Sequence, residues 1–123
     1  MEKKKVSICE VLEWYDIPIL FIAVDEEQNK YVCVTYDTKD GDILAIGLLV
    51  SEEEFACFVD GKTELLALMK SKETSKDVFD IVMSENSYAV KRQTPIEDYM
   101  FCSEGYYVSK NNEDEDLDFV LVK

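Results

Sequence analysis

The sequence predicts a single α+β domain over residues 1–123, an antiparallel β-meander of about five to seven strands with two or three short helices packed on one side. Three observations lead there. The first fifty residues alternate β-rich apolar segments with short polar turns. A helix-start signature then appears at Ser51–Glu54 and the apolar spacing changes. Finally, 123 residues with 47% apolar content, four glycines and two prolines suit one core with no linker.

The first strand runs from Val6 to Tyr15, where Val6, Ile8, Val11, Leu12, Trp14 and Tyr15 are interrupted by Ser7, Glu10 and Glu13. The alternation is imperfect, as at a bulge or an edge. Asp16-Ile17-Pro18 breaks it, with Pro18 at a turn or strand start where its missing N–H costs little. Ile19 to Val24 is a continuous apolar run, the pattern of a strand buried on both faces. After the polar loop Asp25–Lys30, the β-branched and aromatic segment Tyr31–Tyr36 forms the second strand of a hairpin. Asp40-Gly41 is a turn signal that favours positive φ, and Ile43 to Val50 makes the next strand.

Ser51 caps a short helix with Glu54 at N3, and Glu52, Glu53 and Glu54 all suit the positive end of its dipole. Phe55, Phe58 and Val59 supply the apolar face, and Gly61 ends it. A second helix starts near Thr63 with Leu65, Leu66, Leu68 and Met69 inward and Lys70 and Lys72 near its end. Asp77–Met83 fits a helix by spacing but a strand by β-branched content. The Glu85-Asn86-Ser87 turn favours a hairpin with Tyr88–Arg92. Thr94-Pro95-Ile96-Glu97 repeats the capping-box pattern with Pro at the first helical position, predicting a short helix from Pro95 to about Cys102. Gly105–Val108 reads as a short strand, 110–116 as a charged loop, and Leu117–Val122 as a closing strand.

Composition excludes several function classes. The net charge of −14 repels phosphate backbones and anionic lipid, which disfavours direct nucleic-acid or membrane binding and favours a basic protein surface as partner. Solubility alone is the competing explanation of that acidity. The basic start, Met1 to Lys5, is not followed by the apolar run of a secretion signal, and the longest apolar run covers the eight residues from Ile43 to Val50, so the expected location is cytoplasmic. The four cysteines, at 9, 33, 57 and 102, lack the close pairing of zinc ligands. With apolar neighbours at Cys33 and Cys57, they read as buried structural thiols.

Nothing in the chain resembles a catalytic set. There is no histidine, and the glycines at 41, 47, 61 and 105 are too scattered for a phosphate loop. The acidic run around Glu113–Asp116 lacks the Gly and Glu spacing of an EF-hand, so neither cofactor nor metal is assigned. The window 97–118 is more informative, because it carries eight carboxylates against one lysine, half of the net charge of −14. Glu97, Asp98, Tyr99, Glu104, Tyr106, Tyr107, Glu113, Asp114, Glu115 and Asp116 form the candidate partner-binding set. Its rings would act as desolvated anchors and its acids as long-range attraction. The plainer alternative puts the rings in the core and the acids in water. The stretch around Trp14, the sole tryptophan, is either a recognition edge or, more simply, a strand-turn-strand corner in the core.

Trp14, Tyr15, Asp16, Pro18, Leu20 and Phe21, followed by Asn29 and Tyr31 and then by Val50 and Ser51, carry a family resemblance. Over roughly Val6 to Met69 the chain resembles a family of uncharacterised bacterial and phage domains with an aromatic-Tyr-Asp-x-Pro-x-Leu-Phe corner. It departs from that pattern at Ile17, where a Gly often precedes the proline. The resemblance implies a small α+β accessory domain of bacteria or their phages and transfers no catalytic residue. Together these readings point to a non-enzymatic acidic binding module, either an inhibitor or immunity protein facing a nucleic-acid-binding enzyme or an accessory subunit. The alternatives are a small-ligand binder or Cys/carboxylate enzyme, and a structural oligomer.

Overall fold

A computed structural model describes residues 3–15, 17–73, 76–102, 106–110 and 117–121. Six strands follow one another around a closed antiparallel barrel: β1 (Lys3–Tyr15), β2 (Ile17–Asp25), β3 (Lys30–Lys39), β4 (Asp42–Val50), β5 (Val78–Met83) and β6 (Tyr88–Lys91). Helices α1 (Glu52–Val59) and α2 (Leu65–Lys72) lie between β4 and β5. A separate two-stranded sheet, β7 (Tyr106–Lys110) with β8 (Leu117–Leu121), runs beside the helices and β1.

This corrects the expected class. The protein is a closed β-barrel with two helices, where the sequence predicted an open α+β meander with two or three helices on one side. Closure comes from the basic start of the chain. Lys3, Lys4 and Lys5 pair with Val90, Ala89 and Tyr88, and the Val6 amide donates to the Ser87 carbonyl at 3.2 Å. The lysine ammoniums do not oppose this, because Lys3 lies 4.4 Å over the Tyr88 ring and Lys4 5.9 Å over Phe79. Register shifts at Ile8/Glu10, Val11/Glu13 and Glu13/Trp14 then bend β1, so that it stays on β2 after leaving β6.

Successive side chains on a strand point to opposite faces, and here both faces are apolar. One set, Leu20, Ile22, Val32, Val34, Ile46, Leu48 and Val78, packs outward against Phe58, Leu65, Leu68 and Met69 of the helices. The alternate set, Val6, Phe21, Ala23, Tyr31, Cys33, Ala45, Phe79, Ile81 and Ala89, fills the lumen. That is why the β2 run from Leu20 to Ala23 is apolar without alternation.

Six strands leave no room for a ligand cavity, since even an eight-stranded barrel is narrow enough for side chains to fill. Large and small residues therefore face each other across the ladder: Tyr31 against Ala23, Phe21 against Cys33, Phe79 against Gly47, and Ile81 against both Ala45 and Ala89. The Tyr31 and Phe79 rings meet edge to face with centroids 5.2 Å apart.

Local signals act as expected at several points. Asp40 and Gly41 adopt φ of 53° and 89° in the two-residue turn between Lys39 and Asp42. The Glu54 amide donates to Ser51 Oγ at 3.1 Å, and the Ser51 amide donates to Glu54 Oε1 at 2.9 Å. Glu54 also meets Lys72 of α2 at 3.1 Å, and the same ammonium lies 3.5 Å from Asp77, tying both helices to the start of β5. Asp77–Met83 resolves as the strand of a hairpin with β6.

Two smaller expectations fail. The helix from Pro95 to Cys102 is only a 3-10 turn over Asp98–Met100, with no side-chain cap, because Phe101 returns to extended backbone at φ −75° and ψ 144°. Cys57 is exposed, on the outer side of α1 away from Phe58, whereas Cys33 is buried in the lumen. All four cysteines are free thiols.

Candidate functional site

The segment after β6 is held at three points. The Arg92 guanidinium donates to Asp80 Oδ1 at 2.7 Å and to the Pro95 carbonyl from Nε at 3.4 Å and Nη2 at 3.3 Å. Its side chain is thereby buried against β5. Ile96 and Met100, four residues apart, insert into the outer core and are each 5% exposed. The residues between these anchors, Glu97, Asp98 and Tyr99, are pushed outward, and all three are exposed.

Tyr99 is 65% exposed, and among the described residues it is the one exposed aromatic. Its ring rests edge to face on the half-buried Tyr36, with centroids 6.0 Å apart. Burial pushes the Tyr36 hydroxyl above its usual range, and the charges of Asp80 and Asp37 add to this against the opposing Arg92. It therefore stays neutral, a hydrogen-bonding group at the foot of an acidic knob. The knob projects from a rigid seat, which limits the entropy lost when a partner orders it.

Of the predicted set, the structure brings together Glu97, Asp98 and Tyr99. Tyr107 is half-buried on β7, beside the helices. Tyr106 contributes backbone to the same strand, paired with Leu121. Glu104, Glu113, Asp114, Glu115 and Asp116 lie outside the described residues, and the side chain of Trp14 does too. Sequence reasoning missed Tyr36 and the Asp80–Arg92 pair, which join the knob only through the fold.

It also missed a buried carboxylate. Asp25, 5% exposed at the end of β2, accepts from the Glu27 and Asn29 amides at 2.9 and 3.0 Å, from Asn29 Nδ2 at 3.1 Å and from the Tyr31 hydroxyl at 2.8 Å. Burial alone would raise its pKa, but the bonds from Tyr31, Asn29 and Glu27 together outweigh it and hold the carboxyl below the ordinary value. The same contact works the other way on Tyr31, whose hydroxyl is pushed up by burial and by the Asp25 charge. Neither group is poised to exchange a proton near neutrality, so the pair is a lock on the β2–β3 turn, where Gln28 takes φ 69°.

A depressed folded pKa stabilises the fold above the unfolded Asp value, near 3.9, and that stabilisation fades as pH falls through the folded value. Asp25→Asn is expected to cost about 1–3 kcal/mol at neutral pH, through mispaired donors, and to flatten the acid limb of the stability curve. Urea titrations between pH 7 and 2 measure both. An acid limb parallel to that of the unmodified protein would remove Asp25 from the account.

Two of the thiols are shifted away from reactivity. Burial pushes the Cys33 thiol well up and the Cys102 thiol up to about 11, opposite to the direction a nucleophile needs. Among the described residues there is no group of three or more potential metal ligands and no helix long and apolar enough to cross a membrane. No protein-family model matches the chain, and neither a curated protein nor a solved structure is significantly similar to it.

Proposed function

We propose that this protein is a non-enzymatic binding module whose acidic knob, Glu97-Asp98-Tyr99, engages a basic surface on a protein partner. One observation carries the reading: an aromatic ring 65% exposed, next to two exposed carboxylates on a seat anchored by Ile96 and Met100. A ring left in water has an unfavourable hydration that an interface would relieve, and aromatic anchors of this kind dominate binding energies. The net charge of −14 supplies the long-range attraction that brings a cationic partner to it. An inhibitor or immunity protein covering the basic groove of a nucleic-acid-binding enzyme fits this charge, as does an accessory subunit of such an enzyme.

The reading separates the roles of the two residue types. Tyr99→Ala is expected to weaken the complex by about 2 kcal/mol or more, mainly by faster dissociation. Glu97→Lys with Asp98→Lys is expected to slow association and to reduce its salt dependence. Capture of the partner from the native host at low and high salt, followed by surface plasmon resonance with these variants, measures each effect. A partner retained equally at both salt concentrations and by all variants would defeat the proposal.

A further inference from the structure

A second surface has the opposite charge. Where β6 ends, residues 91–95 together with Glu73 and Lys76 border an open cleft of about 470 Å³. Among the described residues Lys76, Lys91, Arg92, Gln93, Thr94 and Pro95 line it, with Glu73 as the one carboxylate. Such a volume lies within the range of small-molecule sites.

The cations divide into two kinds. Arg92 is committed to Asp80 and the Pro95 carbonyl, so it fixes the wall of the cleft rather than serving a ligand. Lys76 and Lys91 are exposed and form no ion pair with any described residue. Some other lysines of this acidic chain find company: Lys72 on two carboxylates, and Lys3, Lys4, Lys30 and Lys70 over aromatic rings. Two exposed ammoniums on one concave surface, beside the Thr94 hydroxyl, outnumber the Glu73 carboxylate that shares the lining with them. The overall charge does not erase this local excess, because salt screens exposed charges beyond about 8 Å at physiological ionic strength.

We propose that this cleft binds a small phosphate monoester, with Lys76 and Lys91 on the phosphate oxygens, Thr94 donating a further hydrogen bond, and the organic part against Pro95. A dianionic phosphate matches two ammoniums and offers three acceptor oxygens. The volume exceeds what inorganic phosphate alone would fill, so an organic body should add affinity. Arg92 and Pro95 support both surfaces, but Lys76, Lys91 and Thr94 are not part of the acidic knob, so the test is independent of that reading.

The test is a titration of the full chain, followed by amide chemical shifts, with adenosine monophosphate, adenosine and inorganic phosphate, ionic strength being held constant with sodium chloride. The expected result is saturable shifts confined to residues 76–77 and 91–95 with the monophosphate, weaker ones with inorganic phosphate, and none with adenosine. Lys76→Ala with Lys91→Ala, both at exposed positions, should lower the monophosphate affinity at least about tenfold at unchanged melting temperature. No saturable shift up to about 10 mM monophosphate would overturn the proposal. So would binding that survives in the double variant, or shifts dispersed over the surface.

Discussion

Tyr31→Ala is expected to remove a large part of the stability of this protein. Tyr31 is fully buried in the lumen, against the Phe79 ring and opposite Ala23, with its hydroxyl on the Asp25 carboxylate. Truncating a buried aromatic costs about 3–5 kcal/mol through lost burial and the cavity left behind. The lumen is poorly able to relax, because the strands around it form a closed ring of hydrogen bonds. The change also takes a donor from a carboxylate that is 5% exposed. Against a total of about 5–15 kcal/mol for a domain of this kind, that is a large fraction. Tyr31→Phe divides the effect, keeping the ring and losing only the bond to Asp25, for about 1–3 kcal/mol. Urea unfolding with an unchanged slope measures both variants. A Tyr31→Ala protein within about 1 kcal/mol of the original would mean that the lumen is not the principal core.

Adding a single methyl group at Gly47 is also expected to destabilise the fold, by a smaller amount. A Cβ there would sit 2.5 Å from Ile81 Cγ1 and 2.8 Å from Cδ1, closer than real Cβ atoms come, with Cys33 Sγ at 3.7 Å. Ile81 is 1% exposed and cannot swing into solvent, so the ring of strands must give instead. Overpacking of this type costs about 1–3 kcal/mol for Gly47→Ala. The clash names its own rescue. Ile81→Ala alone should cost about 2–5 kcal/mol by opening a cavity, but the added methyl partly fills that cavity. The double variant should therefore be more stable than the sum of the two single losses, with a coupling of about 1 kcal/mol or more. Simple additivity would show that the two positions do not meet.

Where the sequence was readable, the reason lies in local chemistry. Asp40-Gly41 needs only its own backbone to make its turn, and Ser51 with Glu54 needs only the first turn of α1. The β5–β6 hairpin follows from β-branched content. Closure is different in kind, since it pairs Lys3–Lys5 with residues 88–90, and three lysines at a chain start look like a solvated end. The apolar runs of β2 and β3 did signal burial on both faces, but a covered sheet and a filled barrel share that pattern. The match of Gly47 with Phe79 and Ile81 distinguishes them, and it joins residues over thirty positions apart.

The candidate knob was half legible. Acids interleaved with aromatics marked residues 97–99, whereas the Tyr36 support comes from β3 through the fold. By composition Asp25 reads as part of a polar loop, although an Asp followed by Asn29 at the fourth position and Tyr31 at the sixth is the pattern of a carboxylate collecting a hairpin turn.

The seam that shuts the barrel is short. Among the described residues β3 and β4 share nine partner pairs across a two-residue turn, while β1 and β6 share three across more than eighty residues of chain. Forming that seam requires the most loop entropy for the fewest ladder bonds, so it zips last during folding and breathes first in the native state. The lysines at the chain start thus act as a latch on a cylinder whose hairpins stand without them, and transient access to its packed interior runs through that one line.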